Sequence, residues 1–499
     1  MITARRVRVD VGINTGFAVV RLAALLWVIR RAALLFAPEA LGVFLLARRL
    51  ASTFAHVLQL GCSQTLLRYL SMTESSKVRR RYVMVTTAAW AGLAVFTMAV
   101  FLPTRSWVAA AIFPGVDDAS PLAWWTVTLT VASILSFIAY STLFAERRLI
   151  LANLLELMSV SGLLLLALFW SRAALTPAAL VRFQALGLII LCVVTIATYL
   201  IAMRRPDPAS GPAPTWSEAG RVLVTYGFPR GGTAALDIVV VTIGPWLLRK
   251  EPAQAGYLLM ALTIVQAVPA ALAPTAQIAS ILAARLVGRG ELTRLREEVR
   301  LLLGGTLYAA TLALAILLPW SRYVLQLWLG DAAIVSGVSF YLSWLVWGIV
   351  PLAFFQALRG IIEMRWLAPR NLWTLATAVT VHVLAYELVK GLVGEAASVR
   401  AALLAAFGTM GLLTFAWLDS SWWRPLRYWG LGRLVSLASF VALVNFLLAE
   451  WPGPLEALVG IVSTGVIAVV GLKGAAAPAV LAMRAFIWPR TDLESFHRA

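Results

Sequence analysis

PEALGVFLLARRLASTFAHVLQLGCSQTLLRYLS, residues 38–71, is apolar for most of its length and carries two adjacent arginines. As a helix its 34 residues would run to roughly 50 Å, well past the ~30 Å hydrocarbon core of a bilayer. Gly61 is therefore expected to end a spanning part and begin a shorter surface part. Arg48 and Arg49 stand about ten residues from the outer end, roughly 15 Å deep and near the midplane. A charge there costs at least about 2.5 kcal/mol on insertion scales, so it should face protein or water rather than lipid. Helical spacing agrees. Arg49, Ser52, Thr53, His56, Gln59 and Ser63 share one face, and Ala47, Ala51, Phe54 and Leu58 the opposite one. The stretch reads as a membrane helix with its polar stripe turned inward.

The whole chain has the same character. Of 499 residues, 61% are hydrophobic and 13% charged, with a mean hydropathy of +0.86. A soluble domain has roughly 45–50% apolar and about 25% charged residues. The apolar runs are long and continuous, which excludes a β-barrel and predicts an all-α polytopic membrane protein. The net charge of +19 would suit nucleic acid, but it sits in short loops between apolar runs, where topology signals lie. Cys62 and Cys192 offer no disulfide framework or metal spacing. Three histidines, no nucleotide-binding glycine loop and no large polar outer loop argue against an enzyme and imply no cofactor. The basic N-terminus lacks a small-residue cleavage site, so the first apolar segment reads as a retained span.

Run length gives about fourteen spans: 13–36, 39–61, 82–103, 122–144, 149–170, 180–203, 222–248, 253–284, 301–320, 333–357, 368–390, 399–418, 431–449 and 455–472. Alternate loops are rich in arginine and lysine, as at Lys77–Arg81, Arg204–Arg205, Arg285–Arg300 and Arg359–Arg370. The positive-inside rule then places both termini in the cytoplasm. The Pro/Gly/Ser-rich stretch RRPDPASGPAPTWSE (204–218) reads as an exposed linker. It divides the first twelve spans into two sets of six, and 41–59 has a counterpart at 255–273, which fits a two-lobed transporter. The expected divisions are a lobe at 1–203, a linker at 204–221, a second lobe at 222–420, and two extra helices with a tail at 421–499.

Gly42-Val43-Phe44, followed by Leu60-Gly61 and then by Leu67-Arg68-Tyr69-x-Ser71, resembles the second-helix signature of bacterial polysaccharide flippases. These belong to the multidrug/oligosaccharidyl-lipid/polysaccharide (MOP) exporter superfamily. TYGFP (225–229), AGYL with Pro269 and Pro274, VLQLWLGD (324–331) and ALRGIIEMRWLAPRNLWTLA (357–376) match later motifs in order, so the resemblance covers most of residues 10–420. It departs from the family at Gly244-Pro245, where many relatives carry an acidic residue. The resemblance implies two pseudo-symmetric six-helix lobes around a central cavity, working by alternating access in the bacterial inner membrane. The implied cargo is an undecaprenyl-diphosphate-linked glycan, moved to the outer leaflet for surface polysaccharide. The implied partners are membrane lipids and that lipid-linked oligosaccharide, with room for a polysaccharide polymerase and assembly proteins, and no nucleic acid. A lipid II flippase, a multidrug or cation antiporter of the same superfamily and a membrane glycan polymerase are the alternatives.

With such a cargo, the arginines of the first hairpin become candidate diphosphate ligands: Arg21, Arg49, Arg48, Arg30 and Arg31. Guanidinium suits the task because its planar fork pairs with phosphate oxygens and stays ionised. Pairing with backbone carbonyls, or snorkelling outward, is the other reading. Asp237 could couple transport to a cation, or form a structural charge pair. Arg230 shares its face, with Tyr226 one turn before. Glu156 reads as structural. His56 could titrate near neutral pH or sit satisfied in the core. Gln266 and Gln277 could line a cavity or hydrogen-bond between helices.

Overall fold

A computed structural model describes residues 4–73, 75–116, 119–170, 175–203, 214–288, 290–365 and 369–418. They are almost entirely helical, with no strand among them. The elements are α1 (Ala4–Leu35), α2 (Pro38–Leu58), α3 (Cys62–Met72), α4 (Ser76–Ile112), α5 (Ala119–Ala145), α6 (Leu149–Leu157), a π-helical turn (Met158–Gly162), α7 (Leu163–Trp170), α8 (Pro177–Ala202), α9 (Trp216–Val222), a second π-helical turn (Leu223–Gly227), α10 (Phe228–Leu247), α11 (Pro252–Gly288), α12 (Leu292–Leu329), α13 (Ala332–Leu345), a 3₁₀ turn (Val346–Gly348), α14 (Ile349–Arg365), α15 (Arg370–Val393) and α16 (Glu395–Ala416).

Eleven stretches among the described residues are long and apolar enough to cross a bilayer. They coincide with the expected spans one to six and eight to twelve, so the chain is a multi-pass helical membrane protein. The expected span at 222–248 is also helical, but it carries Arg230 and Asp237 and is not among the eleven. The expected spans at 431–449 and 455–472 lie outside the described residues, as do most of the 204–218 linker and the tail. Trp107, Trp170, Phe169 and Leu392 are largely exposed, as side chains facing lipid would be.

Local sequence explains the breaks. Gly330 closes α12 with φ +78, and the Asp331 carboxylate caps α13 by accepting from the N–H groups of Ala333 and Ile334. The LGD of the VLQLWLGD motif is thus a stop followed by a start. Gly61 does the same between α2 and α3, with φ +77.

Contacts group Gly16–Leu259 into one compact unit, and Met260 onward with Met1–Thr15 into another. In the second unit, Ala283, Leu286, Leu303, Leu358 and Ile361 form a core between α11, α12 and α14. The turn between α14 and α15 is tied by Asn371, whose side-chain amide donates to the Arg359 carbonyl (2.7 Å) and Glu363 (3.0 Å). In the first unit, α2 packs against α5, α8 and α10. Its ends are joined to neighbours at glycine. A Cβ on Gly42 would lie 1.7 Å from the Pro252 carbonyl oxygen, and one on Gly61 1.9 Å from that of Gly227. Backbones meet at this range only where no side chain intervenes.

This predicts a contrast between two glycines of like conformation. Gly115 has φ +74 and open space around it. Gly115→Ala should cost only the left-handed strain, about 1–2 kcal/mol. Gly61→Ala should cost about a further 1–3 kcal/mol from overpacking. Thermal midpoints in detergent measure the difference. Equal midpoints would mean that the Gly61–Gly227 contact does not limit stability.

Candidate functional site

The polar stripe of α2 meets α10 at its centre. The Arg49 Nε–H donates to the Thr242 hydroxyl (3.0 Å), which lies 2.8 Å from that of Thr53. Thr53 and Thr242 are both buried. Asp237, also on α10, is close enough to act electrostatically on Arg49 and on His56. The His56 Nδ1–H donates to the Ser52 carbonyl (2.8 Å), and the ring stands edge-on to Phe137. Its backbone bond makes Nε2 the acceptor in the neutral ring.

Arg48 points to a different neighbour. Its Nη2 donates to the Val160 carbonyl (2.6 Å), inside the π-helical turn between α6 and α7. Such a turn carries one residue too many for the α ladder, which loosens its carbonyls and lets side chains reach them. Gln184 takes the next one, donating to the Ser159 carbonyl (2.7 Å). Arg21 pairs with Glu156 on the turn just before. Two arginines from α1 and α2 therefore converge on one stretch of helix, one on a carboxylate and one on a carbonyl.

The charge balance decides what this centre can do. Arg21 is matched by Glu156. Arg48 and Arg49 are adjacent, and among the described residues neither forms an ion pair; Asp237 acts on Arg49 electrostatically. Arg48 Nε and Arg49 Nη2 are buried and have no hydrogen-bond partner among the described residues. A buried charged donor without a partner costs more than about 1–3 kcal/mol, and an arriving anion would remove that cost. The arrangement suits a group carrying more than one negative oxygen.

The other expected site residues fall elsewhere. Arg30 and Arg31 are exposed near the end of α1. Arg230 is exposed at the start of α10, 4.0 Å from the centre of the Tyr226 ring. Gln266 is half-buried on α11 in the second compact unit, and the side chain of Gln277 lies outside the described residues. Sequence spacing misses Thr242 and Gln184 as partners, and it treats Glu156 as structural without finding Arg21. Both π turns are invisible to it.

Two measurements follow. Thr242→Val keeps the shape but leaves Arg49 Nε without its acceptor. It should lower stability by about 1–3 kcal/mol, read as a fall in the thermal midpoint; an unchanged midpoint would mean that the bond contributes nothing. Burial pushes the Cys62 thiol, at the start of α3, up to about 11. In a Cys192→Ser background, initial maleimide labelling of Cys62 should therefore keep rising about tenfold per pH unit from 7 to 9.5, since the thiolate is the nucleophile. Levelling near pH 8.5 would contradict the shift.

Comparison with known proteins adds the following. Residues 253–365 match the family model MatE. Among solved structures, the lipid II flippase MurJ in an inward closed conformation superposes with a TM-score of 0.69 at 12% identity, over 93% of this chain and 98% of that one. An inward-facing multidrug resistance MATE family transporter of the MOP superfamily gives 0.62 at 13% identity, over 81% and 93%. A MOP superfamily transporter from Pyrococcus furiosus gives 0.60 at 14%, over 83% and 95%. At these identities the likeness is one of fold. No curated protein matches the chain by sequence.

Proposed function

We propose that this chain, which has the fold of the MOP exporters, is a flippase for lipid-linked saccharide. Its cargo is a glycan on a polyprenyl diphosphate carrier, moved from the inner to the outer leaflet by alternating access. The observation that carries this reading is the pair Arg48–Arg49 midway along α2, with a buried nitrogen of each guanidinium left unbonded and Asp237 acting on Arg49. A cationic drug would be repelled by that excess, whereas a diphosphate fits the guanidinium fork. Thr242 and the field of Asp237 keep Arg49 in place between cycles. Arg21, held by Glu156, would reach a headgroup only by leaving its partner. Arg30 and Arg31 would meet the cargo nearer the outer surface.

Membrane potential suits such a carrier. One charge crossing 100 mV is worth about 2.3 kcal/mol, so an inside-negative cell favours outward movement of an anion and inward return of the empty cationic site.

A lipid II flippase is the second reading. It is supported by the likeness to MurJ, which extends over more of this chain than the other two likenesses do.

Deletion of the gene in its host, with lipid and glycan profiling, tests both. Accumulated lipid-linked repeat units with loss of one surface polysaccharide are expected, together with rescue by wild-type chain and at least about tenfold less export with Arg49→Ala at equal membrane abundance. Accumulated peptidoglycan precursor would favour the second reading. Unchanged glycans with new sensitivity to cationic drugs would overturn both.

A further inference from the structure

A second basic site stands apart from Arg49, at the ends of α3 and α10. Tyr226, in the π turn before α10, has two guanidinium groups over its ring: Arg68 at 4.6 Å and Arg230 at 4.0 Å from the centroid. Tyr69 stands edge-on to the same ring at 5.7 Å, and beside this group Arg81 lies over the exposed ring of Trp216.

The backbone brings these residues together. Gly61 meets Gly227, and a Cβ on Gly231 would lie 2.5 Å from the Gly61 nitrogen. The turn that launches α3, bearing Arg68, is thereby pressed against the turn that launches α10, bearing Arg230.

The charges there are unmatched. Arg79 is neutralised by Glu146, which also accepts from the Tyr199 hydroxyl. Glu218 is engaged by the Thr215 N–H at 2.7 Å. Among the described residues no carboxylate pairs with Arg68 or Arg230. Topology alone asks only for positive charge in a solvated loop. Here two exposed arginines hold their guanidinium groups over one aromatic ring. Stacking restricts them beforehand, so an anion that binds both loses less side-chain entropy.

We infer that Arg68, Tyr226 and Arg230 form a docking site for a phosphate or diphosphate group at the membrane surface, where cargo headgroups are captured before they reach Arg49. The inference rests on the flippase reading for the lipid tail; the anion chemistry stands without it. The positive-inside rule puts this end in the cytoplasm, where lipid-linked precursors are loaded.

Arginine-selective modification of the full wild-type chain tests it. Phenylglyoxal adducts at Arg68 and Arg230 are mapped by mass spectrometry, with and without inorganic pyrophosphate in phosphate-free detergent. They are mapped again in zwitterionic nanodiscs with and without polyprenyl diphosphate. Roughly tenfold slower modification of both arginines is expected, the size of effect that one or two charge-assisted hydrogen bonds give. Protection by pyrophosphate would mean that the phosphate groups suffice; protection only in doped nanodiscs would mean that the lipid headgroup is required. No protection by either probe would overturn the site. In parallel, Arg68→Gln/Arg230→Gln should raise the pyrophosphate or lipid concentration for half-saturation by about 10- to 100-fold, and unchanged binding would overturn it too. Export by Arg49→Ala is scored separately. Unprotected rim arginines with export still dependent on Arg49 would remove this inference and leave the flippase reading standing.

Discussion

Two adjacent guanidinium groups in the apolar middle of α2 are the constraint on which the first compact unit depends. Neither Arg48 nor Arg49 can face lipid without a penalty of several kcal/mol. Each is met by a different device. Arg48 draws on the Val160 carbonyl, inside the π turn at Met158–Gly162. Arg49 draws on Thr242 and on the field of Asp237. Carbonyls and hydroxyls solvate a cation but do not neutralise it. The centre therefore keeps a positive excess that ordinary core packing would have removed, and that excess gives an anion a reason to bind.

The glycine contacts serve the same end. Arg49 meets Thr242 because α2 and α10 approach closely, and at the α3 end that approach is set by backbone against backbone at Gly61, Gly227 and Gly231. A side chain at any of these positions would wedge the helices apart and lengthen the hydrogen bond that holds Arg49. The arginine–tyrosine group at that end is a by-product of the same juxtaposition, since the turns that meet at glycine carry Arg68, Tyr226 and Arg230.

Much of this is written in the residues. The inward polar stripe of α2 shows in its spacing, the break at Gly61 in its length, and the eleven apolar spans in their runs. The LGD stop-and-start shows in its capping chemistry. What could not be read was set by tertiary contact. A π turn has no composition of its own: MSVSG and LVTYG would pass for ordinary helix, and only the partners of their carbonyls distinguish them. Arg21 and Glu156 are far apart in sequence, so no helical periodicity could join them. The expected linker at 204–221 rests on its prolines and glycines alone; the packing of α10 on α2 within the unit Gly16–Leu259 is a tertiary fact that no composition carries.

The most direct measurement is an experimental structure of the full chain in nanodiscs with a polyprenyl diphosphate saccharide. Diphosphate oxygens about 3 Å from Arg49 Nη2, at charge-assisted hydrogen-bond range, are the predicted result. A diphosphate seated away from α2, with Arg48 and Arg49 keeping only Val160 and Thr242 as partners, would contradict the account.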